Sequence, residues 1–318
     1  MDNEILIEAQ ALSRRYGPTM AVSELNLTLR KGDILGLLGP NGAGKTTTMK
    51  MLAGCLAPTS GAVKIKGISL AEEPKLAKAH LGYLPEQPPL YPELTVNEYL
   101  RYCAGLHGVP RAEREDAVAR AKQACALNDV AQRLIGNLSK GYQQRVGLAQ
   151  AIIHRPPVVI LDEPTIGLDP IQIREIRALI RELGHRHSVI LSSHILPEIQ
   201  AVCSRVMIIN KGRVVYAEAL NRSAPARVES VIVGLRRPPD EAALKNIPGV
   251  RDVQTLSNGQ FRLAVAPQQD PREALAEAAV KHGWGLTELR SESKSLEEIF
   301  VELTSGDAAA AETLKEAA

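Results

Sequence analysis

The feature that most constrains the fold is GPNGAGKTT at residues 39–47. It matches G-x-x-x-x-G-K-[ST], in which glycines let backbone N–H groups turn toward phosphate oxygens and a following helix adds its positive amino end. A short apolar stretch, ILGLL, precedes it, and the spacing of apolar residues after it predicts a helix. A strand, a glycine-rich turn and a helix in this order favour a nucleotide site over a chance glycine-rich turn.

Within the motif, Lys45 is expected to reach the β- and γ-phosphates of ATP, and the Thr46 hydroxyl to bind Mg²⁺. The expected nucleotide contacts are Gly39, Asn41, Gly42, Ala43, Gly44, Lys45, Thr46 and Thr47.

A second constellation is VVILDEP at residues 158–164, where two acids end an apolar run. Asp162 is expected to hold Mg²⁺, and Glu163 to polarise an attacking water. An alternative is that the acids only cap a helix, since Asp and Glu favour helix starts. Two adjacent acids after four apolar residues, in a chain with a phosphate loop, favour the catalytic interpretation.

Composition excludes several classes of protein. The net charge of +2 is too small to indicate a nucleic-acid surface, and no basic cluster for nucleic-acid binding is expected. The four scattered cysteines form no Cys-x-x-Cys, which favours reduced thiols in a cytosolic protein. The first ten residues do not resemble a signal peptide, and no apolar run approaches the roughly 18 residues of a membrane helix.

Along the chain, strands dominate the first sixty or so residues, helices dominate 88–150, and strands alternate with helices from 158. This order predicts an α/β fold with a mostly parallel sheet covered on both faces. His185 and His187 are expected in a solvated loop between a helix and a strand. We predict a nucleotide-binding domain at 1–222, a helical subdomain at about 88–150, an accessory domain at 223–305 and a disordered tail at 306–318.

Beyond residue 222, the pattern predicts strand, helix, strand, strand, helix, strand and a last helix, SLEEIFVELT. The first six elements have the βαββαβ order of a small ferredoxin-like domain. It could bind a small regulator, although stabilising a dimer is the simpler role.

With these residues in view, the chain resembles an ATP-binding cassette (ABC) transporter ATPase over about residues 4–220. The resemblance implies a P-loop core with a mixed sheet flanked by helices, an antiparallel N-terminal β subdomain and a helical subdomain. By resemblance, Tyr16 stacks on adenine, and Gln87 senses Mg²⁺ and the attacking water. The resemblance also places Asp169 in the loop that crosses the dimer and His194 in contact with the γ-phosphate. Each of these matches is weak evidence by itself, because a histidine after a strand is usually structural and Leu-Asp-Pro is a common turn.

The stretch LSKGYQQR at 138–145 resembles the family signature LSGGQ, which closes over ATP held by a second cassette. Ser139 and Gly141 match the residues that contact the γ-phosphate. Lys140 and Tyr142 depart from the pattern, as in variants of the branch that serves exporters with a separate membrane subunit. One motif set per chain makes a homodimer with two equivalent sites the simplest assembly.

Two interpretations follow. In the first, the protein is the energy-coupling subunit of an exporter, bound to a separate transmembrane permease on the cytoplasmic face of the inner membrane. In the second, it is a soluble ABC ATPase that acts on DNA, the ribosome or a chaperone-like target. The single motif set and the lack of coiled-coil or zinc insertions favour the first.

Overall fold

A computed structural model describes residues 4–220, 230–256, 259–266, 269–292 and 295–305. The chain divides into two compact units, Met1–Asn221 and Arg222–Ala318. The predicted domain boundary at residues 222 and 223 and the predicted tail at 306–318 lie outside the described residues.

The first unit contains ten strands: β1 Ile5–Tyr16, β2 Thr19–Arg30, β3 Ile34–Leu38, β4 Ser60–Ile65, β5 Ile68–Ser69, β6 Leu81–Leu84, β7 Val158–Leu161, β8 Ser188–Ser193, β9 Arg205–Asn210 and β10 Arg213–Ala219. Its α-helices are α1 Lys45–Leu52, α2 Pro74–Lys78, α3 Val96–Leu106, α4 Arg114–Ala124, α5 Lys140–Ile152, α6 Pro170–Gly184 and α7 Leu196–Val202.

Six strands form the central sheet in the order β10-β9-β3-β8-β7-β6. All neighbours pair in parallel except β9 and β10, which form the closing hairpin. Every residue of β7 and β8 is buried, as expected for strands covered on both faces. The carboxyl ends of β3, β7 and β8 therefore lie side by side at one edge, which is where such sheets bind ligands.

A second, antiparallel sheet has the order β2-β1-β4-β5. Leu25, Leu27 and Leu29 of β2 alternate with polar residues, and all three are buried. They belong to one apolar core together with Leu35 and Leu37 of β3, so this sheet packs on the central one.

Helices α3, α4 and α5 form the helical segment between β6 and β7. A capping box begins α3, because the Thr95 hydroxyl accepts from the Glu98 N–H and the Glu98 carboxylate accepts from the Thr95 N–H. Tyr99 and Leu100 of this helix are buried. None of the helices in the described residues has the length and apolar character needed to cross a membrane.

The second unit has strands β11 Ser230–Leu235, β12 Val250–Thr255, β13 Gln260–Val265 and β14 Leu286–Glu292, and helices α8 Glu241–Lys245, α9 Arg272–Lys281 and α10 Leu296–Ser305. The sheet order β12-β13-β11-β14 and its antiparallel pairing are those of a ferredoxin-like βαββαβ module. Val231, Val233 and Leu263 lie in its own core, which includes Leu244 of α8 and Leu275 of α9.

The expectation for His187 is wrong. His185 is exposed, but His187 is only 9% exposed and its Nδ1 lies 2.6 Å from the Pro156 carbonyl oxygen. Because a carbonyl only accepts, Nδ1 carries the proton, and burial lowers the pKa of the imidazole. This hydrogen bond holds the short segment between α6 and β8 against the residues just before β7. Sequence pattern alone does not reveal such a contact.

Candidate active site

The phosphate loop connects β3 to α1, as its motif predicts, and two glycines in it are required by close contacts. A Cβ at Gly39 would clash with the carbonyl oxygen of Ile209. Gly44 has φ 105°, and a Cβ there would lie 2.5 Å from the Ala21 carbonyl oxygen. The loop and Glu163, which follows β7, border a cavity of about 350 Å³, lined by Ala21, Asn41, Gly42, Gly44, Lys45, Thr46, Thr47, Glu86, Glu163 and Ile166.

Lys45 is the cation of this cavity, and it is only 5% exposed. Its Nζ donates to the carbonyl oxygens of Gly39 and Pro40, at 2.9 and 3.2 Å. The same Nζ lies 3.2 Å from Glu163 Oε1. A phosphate that binds Lys45 competes with this carboxylate, so phosphate binding and the environment of Glu163 are physically linked.

Asp162 is fully buried at the end of β7 and is held by two hydroxyls. Ser192 Oγ donates to Asp162 Oδ1 at 2.7 Å, and Thr46 Oγ1 donates to the same oxygen at 3.3 Å. Burial raises the pKa of Asp162, while these hydrogen bonds lower it and the charges of Glu163 and Glu86 raise it further. Among the described residues nothing bonds the buried second oxygen, Oδ2.

Glu163 has a left-handed backbone, with φ 46°, which costs a non-glycine residue about 1–3 kcal/mol. Its N–H donates to Ser192 Oγ at 2.8 Å, which holds this conformation in place. His194 Nδ1 lies 3.0 Å from Glu163 Oε2. Because the carboxylate accepts, Nδ1 carries the proton and Nε2 is the ring atom left to meet a substrate.

A buried carboxylate fixes the loops on both sides of this pair. Glu198 of α7 accepts from Thr165 Oγ1 at 2.7 Å and from Ser193 Oγ at 2.8 Å. Its other oxygen, Oε1, lies 3.4 Å from Arg177. The segment after Glu163 and the segment before His194 are thereby anchored to one side chain, so the relative position of the two is set by the core.

The signature residues lie on a different element. Ser139 caps the amino end of α5, with its Oγ 3.5 Å from the Tyr142 N–H. A Cβ at Gly141 would lie 2.8 Å from the side-chain amide carbon of Gln172 of α6, so α5 and this side chain pack closely here. Lys140 extends over Gly167, in the segment after Glu163. Neither Ser139 nor Gly141 lines the phosphate cavity.

Two other predicted residues also lie outside the cavity. Tyr16 ends β1, is 46% exposed and carries the guanidinium of Arg14 over its ring at 4.8 Å. Asp169 caps α6, because its Oδ1 accepts from the N–H groups of Ile171 and Gln172, both at 2.9 Å. The cap fixes where α6 begins and leaves the outer side of the Asp169 loop accessible.

Glu86 lines the phosphate cavity, although the motif assignment did not name it. Gln87 is exposed and lines a neighbouring cavity of about 440 Å³, whereas Glu86 lines both that cavity and the phosphate cavity. The strand register explains this placement, because β6 and β7 pair in parallel with Leu84 opposite Leu161. A residue just beyond β6 must therefore lie near Asp162, and Glu86 is the carboxylate at that place.

The comparisons with known proteins agree with this geometry. The family described as ABC transporter matches residues 22–166, and a C-terminal domain family described as ATP-binding protein DrrA1-3-like matches residues 226–304. The chain is 31% identical to the uncharacterized ABC transporter ATP-binding protein YxlF of Bacillus subtilis, over 94% of this chain and 99% of that protein. It is 39% identical to the bacitracin transport ATP-binding protein BcrA of Bacillus licheniformis, over 65% of this chain and 68% of that protein.

Solved structures give the same result for the first unit. The ATP-binding subunit of an ABC transporter superposes with a TM-score of 0.61 at 33% identity, covering 68% of this chain and 90% of that one. The dimeric bacterial ABC transporter cassette MJ0796 superposes with a TM-score of 0.62 at 25% identity, covering 68% and 99%. A post-hydrolysis state of the same cassette, bound to ADP and Pi, matches equally well at 24% identity, which shows the shared fold.

Proposed function

Because the chain belongs to the ABC transporter family of ATP-binding proteins, we propose that it powers export through a separate membrane subunit as a head-to-tail homodimer. It is an ATPase of that family. The observation that carries the proposal is the division of its motifs: Lys45, Glu163 and the loop share one cavity, and Ser139 and Gly141 lie outside it. A second copy of the chain would supply the missing half.

In this assignment, ATP lies with its phosphates on the loop and Tyr16 against adenine. Glu163 accepts a proton from the attacking water as the water oxygen bonds to the γ-phosphorus and ADP leaves. Lys45 turns from Glu163 to the phosphates, which frees that carboxylate as a base. Because the Nδ1–H of His194 donates to Glu163, His194 would donate to a γ-phosphate oxygen through Nε2–H as the imidazolium, in which both ring nitrogens carry a proton.

The residues present fit a magnesium ion. The buried Asp162 Oδ2 lacks a partner among the described residues, and the Thr46 hydroxyl lies beside the same carboxylate. No group of three or more His, Cys, Asp or Glu in the described chain could hold a metal alone, which suits Mg²⁺ because it takes most ligands from phosphate and water. Thr46 and Asp162 would hold it, with Glu86 or Gln87 nearby, and it would neutralise phosphate charge.

The membrane attachment comes from a partner in this proposal. The segment around Gln87 to Tyr99, in which Gln87 and Tyr91 are exposed, would contact the permease, placing the protein on the cytoplasmic face of the membrane. ATP would bind the closed dimer more tightly than the open one, and that difference in affinity is the energy available to the permease. Nothing in the comparisons favours the alternative of a soluble target. We assign dimer stabilisation to the C-terminal unit.

The test is to purify tagged Glu163→Gln protein with ATP from detergent-solubilised native membranes and to identify its partners by mass spectrometry. Stoichiometric recovery of a polytopic membrane protein supports the exporter assignment. Recovery of soluble partners only, or of ribosomes or DNA, contradicts it and leaves the ATPase intact.

A further inference from the structure

A second cavity, of about 570 Å³, lies at the edge of the central sheet opposite the phosphate loop. Three of its lining residues directly precede parallel strands: His80 precedes β6, Pro157 precedes β7 and His187 precedes β8. The phosphate loop, Asp162 and His194 follow the other ends of their strands. The cavity is therefore built by the amino ends of the strands and is separate from the site of ATP hydrolysis.

The Lys, Arg, Asp and Glu side chains that line this cavity are all basic, namely Lys66, Arg120, Arg155 and Arg186, and two histidines, His80 and His187, line it as well. No Asp or Glu is among its described lining residues. The whole chain has 38 basic and 36 acidic residues, so a surface sampled at random would carry both signs. The fold has concentrated positive charge here from segments that are far apart in the sequence.

Within the described part of the chain, the guanidinium groups of this cavity are not neutralised. Among the described residues, none of the hydrogen bonds or ion pairs involves the side chain of Arg120, Arg155 or Arg186. Lys66 alone has a carboxylate, Glu4, at 3.5 Å. Arg155 and Arg186 follow the carboxyl ends of α5 and α6, where a positive charge is favourable. A pure capping role would bond them to the last carbonyl groups, and no such bond is present among those residues.

The rest of the cavity wall is apolar and firmly packed. Ala117, Ala121, Ile152, Ile153 and Leu183 are all nearly fully buried. The hydrogen bond from His187 to the Pro156 carbonyl links the segment before β8 to the segment before β7. A concave, preformed wall of aliphatic residues with a few convergent charges is the usual form of a small-molecule site, and the volume lies in the usual range of about 300–1,000 Å³.

We propose that this cavity binds a phosphate-bearing anion, with Arg120, Arg155 and Arg186 on the phosphate oxygens and an apolar part against the aliphatic wall. Guanidinium groups match phosphate oxygens with paired donors, which makes arginine the preferred residue for this chemistry. The phosphate could belong to a free metabolite or to the headgroup of a membrane phospholipid. An extended nucleic acid fits less well, because the positive charge lines one cavity instead of a long groove.

The test uses the full-length protein in magnesium-free buffer with saturating ADP, which blocks the phosphate loop. Pyrophosphate is titrated by calorimetry, and sedimentation with phosphatidylglycerol vesicles is compared with phosphatidylcholine vesicles. The test variant combines Arg120→Gln, Arg155→Gln and Arg186→Gln. The control combines Arg111→Gln, Arg133→Gln and Arg213→Gln, which are exposed elsewhere and change the net charge equally.

We expect the wild-type chain to bind one pyrophosphate, or to bind the anionic vesicles only. The affinity for the probe that binds should fall by at least about tenfold in the test variant and change little in the control. Which probe binds identifies the source of the phosphate. A charge-neutral variant that fills the cavity, Ala124→Phe, should lose binding as well, and thermal unfolding checks that each variant folds. The proposal would be overturned if the test and control variants lost the same affinity, or if the wild-type protein bound neither probe. It would also be overturned if a short DNA duplex bound more tightly than either probe.

Discussion

The two halves of the proposed ATP site are built differently within one chain. In the phosphate half, Lys45 and Glu163 are 5% exposed and Asp162 is 0% exposed, and their charges are paired with one another or with buried hydroxyls. In the signature half, Ser139 and Lys140 are exposed at the start of α5. The first half is held by the core of its own chain. The second half is presented outward, as a surface that completes another copy must be.

This difference separates what an isolated chain can do from what a pair can do. A buried ion pair must be well satisfied, since breaking one is costly, so the phosphate half keeps its geometry without a partner. The N-cap of α5 orders Ser139 by one long hydrogen bond and leaves its position adjustable. We expect a single chain to bind nucleotide, and we expect ATP turnover to require the dimer.

The largest expected effect comes from Glu163→Gln. Replacing the carboxylate removes the base but keeps the size of the side chain and a partner for His194. Turnover should fall by about 10²- to 10⁴-fold, the usual contribution of a general base. ATP binding should remain, and light scattering should show a dimer that persists with ATP. An ATPase rate within about threefold of wild type would exclude Glu163 from this role.

Lys45→Ala should act on the phosphate half alone. Loss of a charge-assisted contact of about 1.5–3 kcal/mol corresponds to roughly 10- to 150-fold weaker nucleotide binding. Lys50→Ala, in the last turn of the same helix and exposed, is the matched control and should bind normally. Equal affinities for the two variants, measured by equilibrium titration of ADP, would contradict the assignment of the loop.

Mixing two inactive variants tests whether the halves come from different copies. Lys45→Ala lacks a phosphate half, and Ser139→Arg blocks the signature half of a partner's site. Random pairing makes half of the dimers mixed, each with one complete site of two, so the mixture should recover about a quarter of wild-type turnover. Activity no higher than the average of the separate variants would argue against composite sites.

Much of this architecture is readable in the sequence because its signals are local. The loop at 39–47 requires glycine in specific backbone conformations, and the alternation in β2 fixes which of its leucines are buried. The βαββαβ order of the second unit likewise follows from short periodic segments between turns.

What the sequence did not predict depends on pairing between distant segments. Glu86 was passed over for Gln87 because a motif letter was matched without the register of β6 against β7. The basic lining of the second cavity was not predicted for the same reason, since Lys66, Arg120 and Arg186 meet only when the sheet is assembled. Net charge and short-range pattern contain no information about such contacts.

Glu86 and Gln87 can be separated by one pair of variants. Glu86→Gln removes a negative charge that acts on Asp162, so half-maximal ATPase activity should need roughly two- to fivefold more Mg²⁺. Gln87→Ala should leave this requirement unchanged, because Gln87 does not line the phosphate cavity. The reverse result, with the Mg²⁺ requirement changed only in Gln87→Ala, would restore the motif-based assignment and exclude Glu86.

The smallest expected effect concerns how the helical segment that carries the signature is joined to the core. His107, which directly follows α3, stacks on His154, which follows α5, with ring centroids 4.0 Å apart and planes 5° from parallel. His154 Nε2 donates to the Leu81 carbonyl at 3.2 Å, while its Nδ1 is buried without a partner among the described residues. Burial, followed by the charge of His107, lowers the pKa of His154 to about 4.

Because the folded-state pKa lies below the ordinary value of 6.5, the unfolded chain binds more protons at intermediate pH. The stability from neutral His154 is therefore fully present above about pH 6.5 and is lost as the pH falls toward 4. His154→Gln should reduce the slope of the unfolding free energy against pH over this range by the equivalent of up to one proton. Urea titration followed by circular dichroism at several pH values measures this slope. His282→Gln, exposed in the second unit, should keep the wild-type slope. The same slope in both variants would mean that protonation of this junction does not weaken the attachment of the signature half.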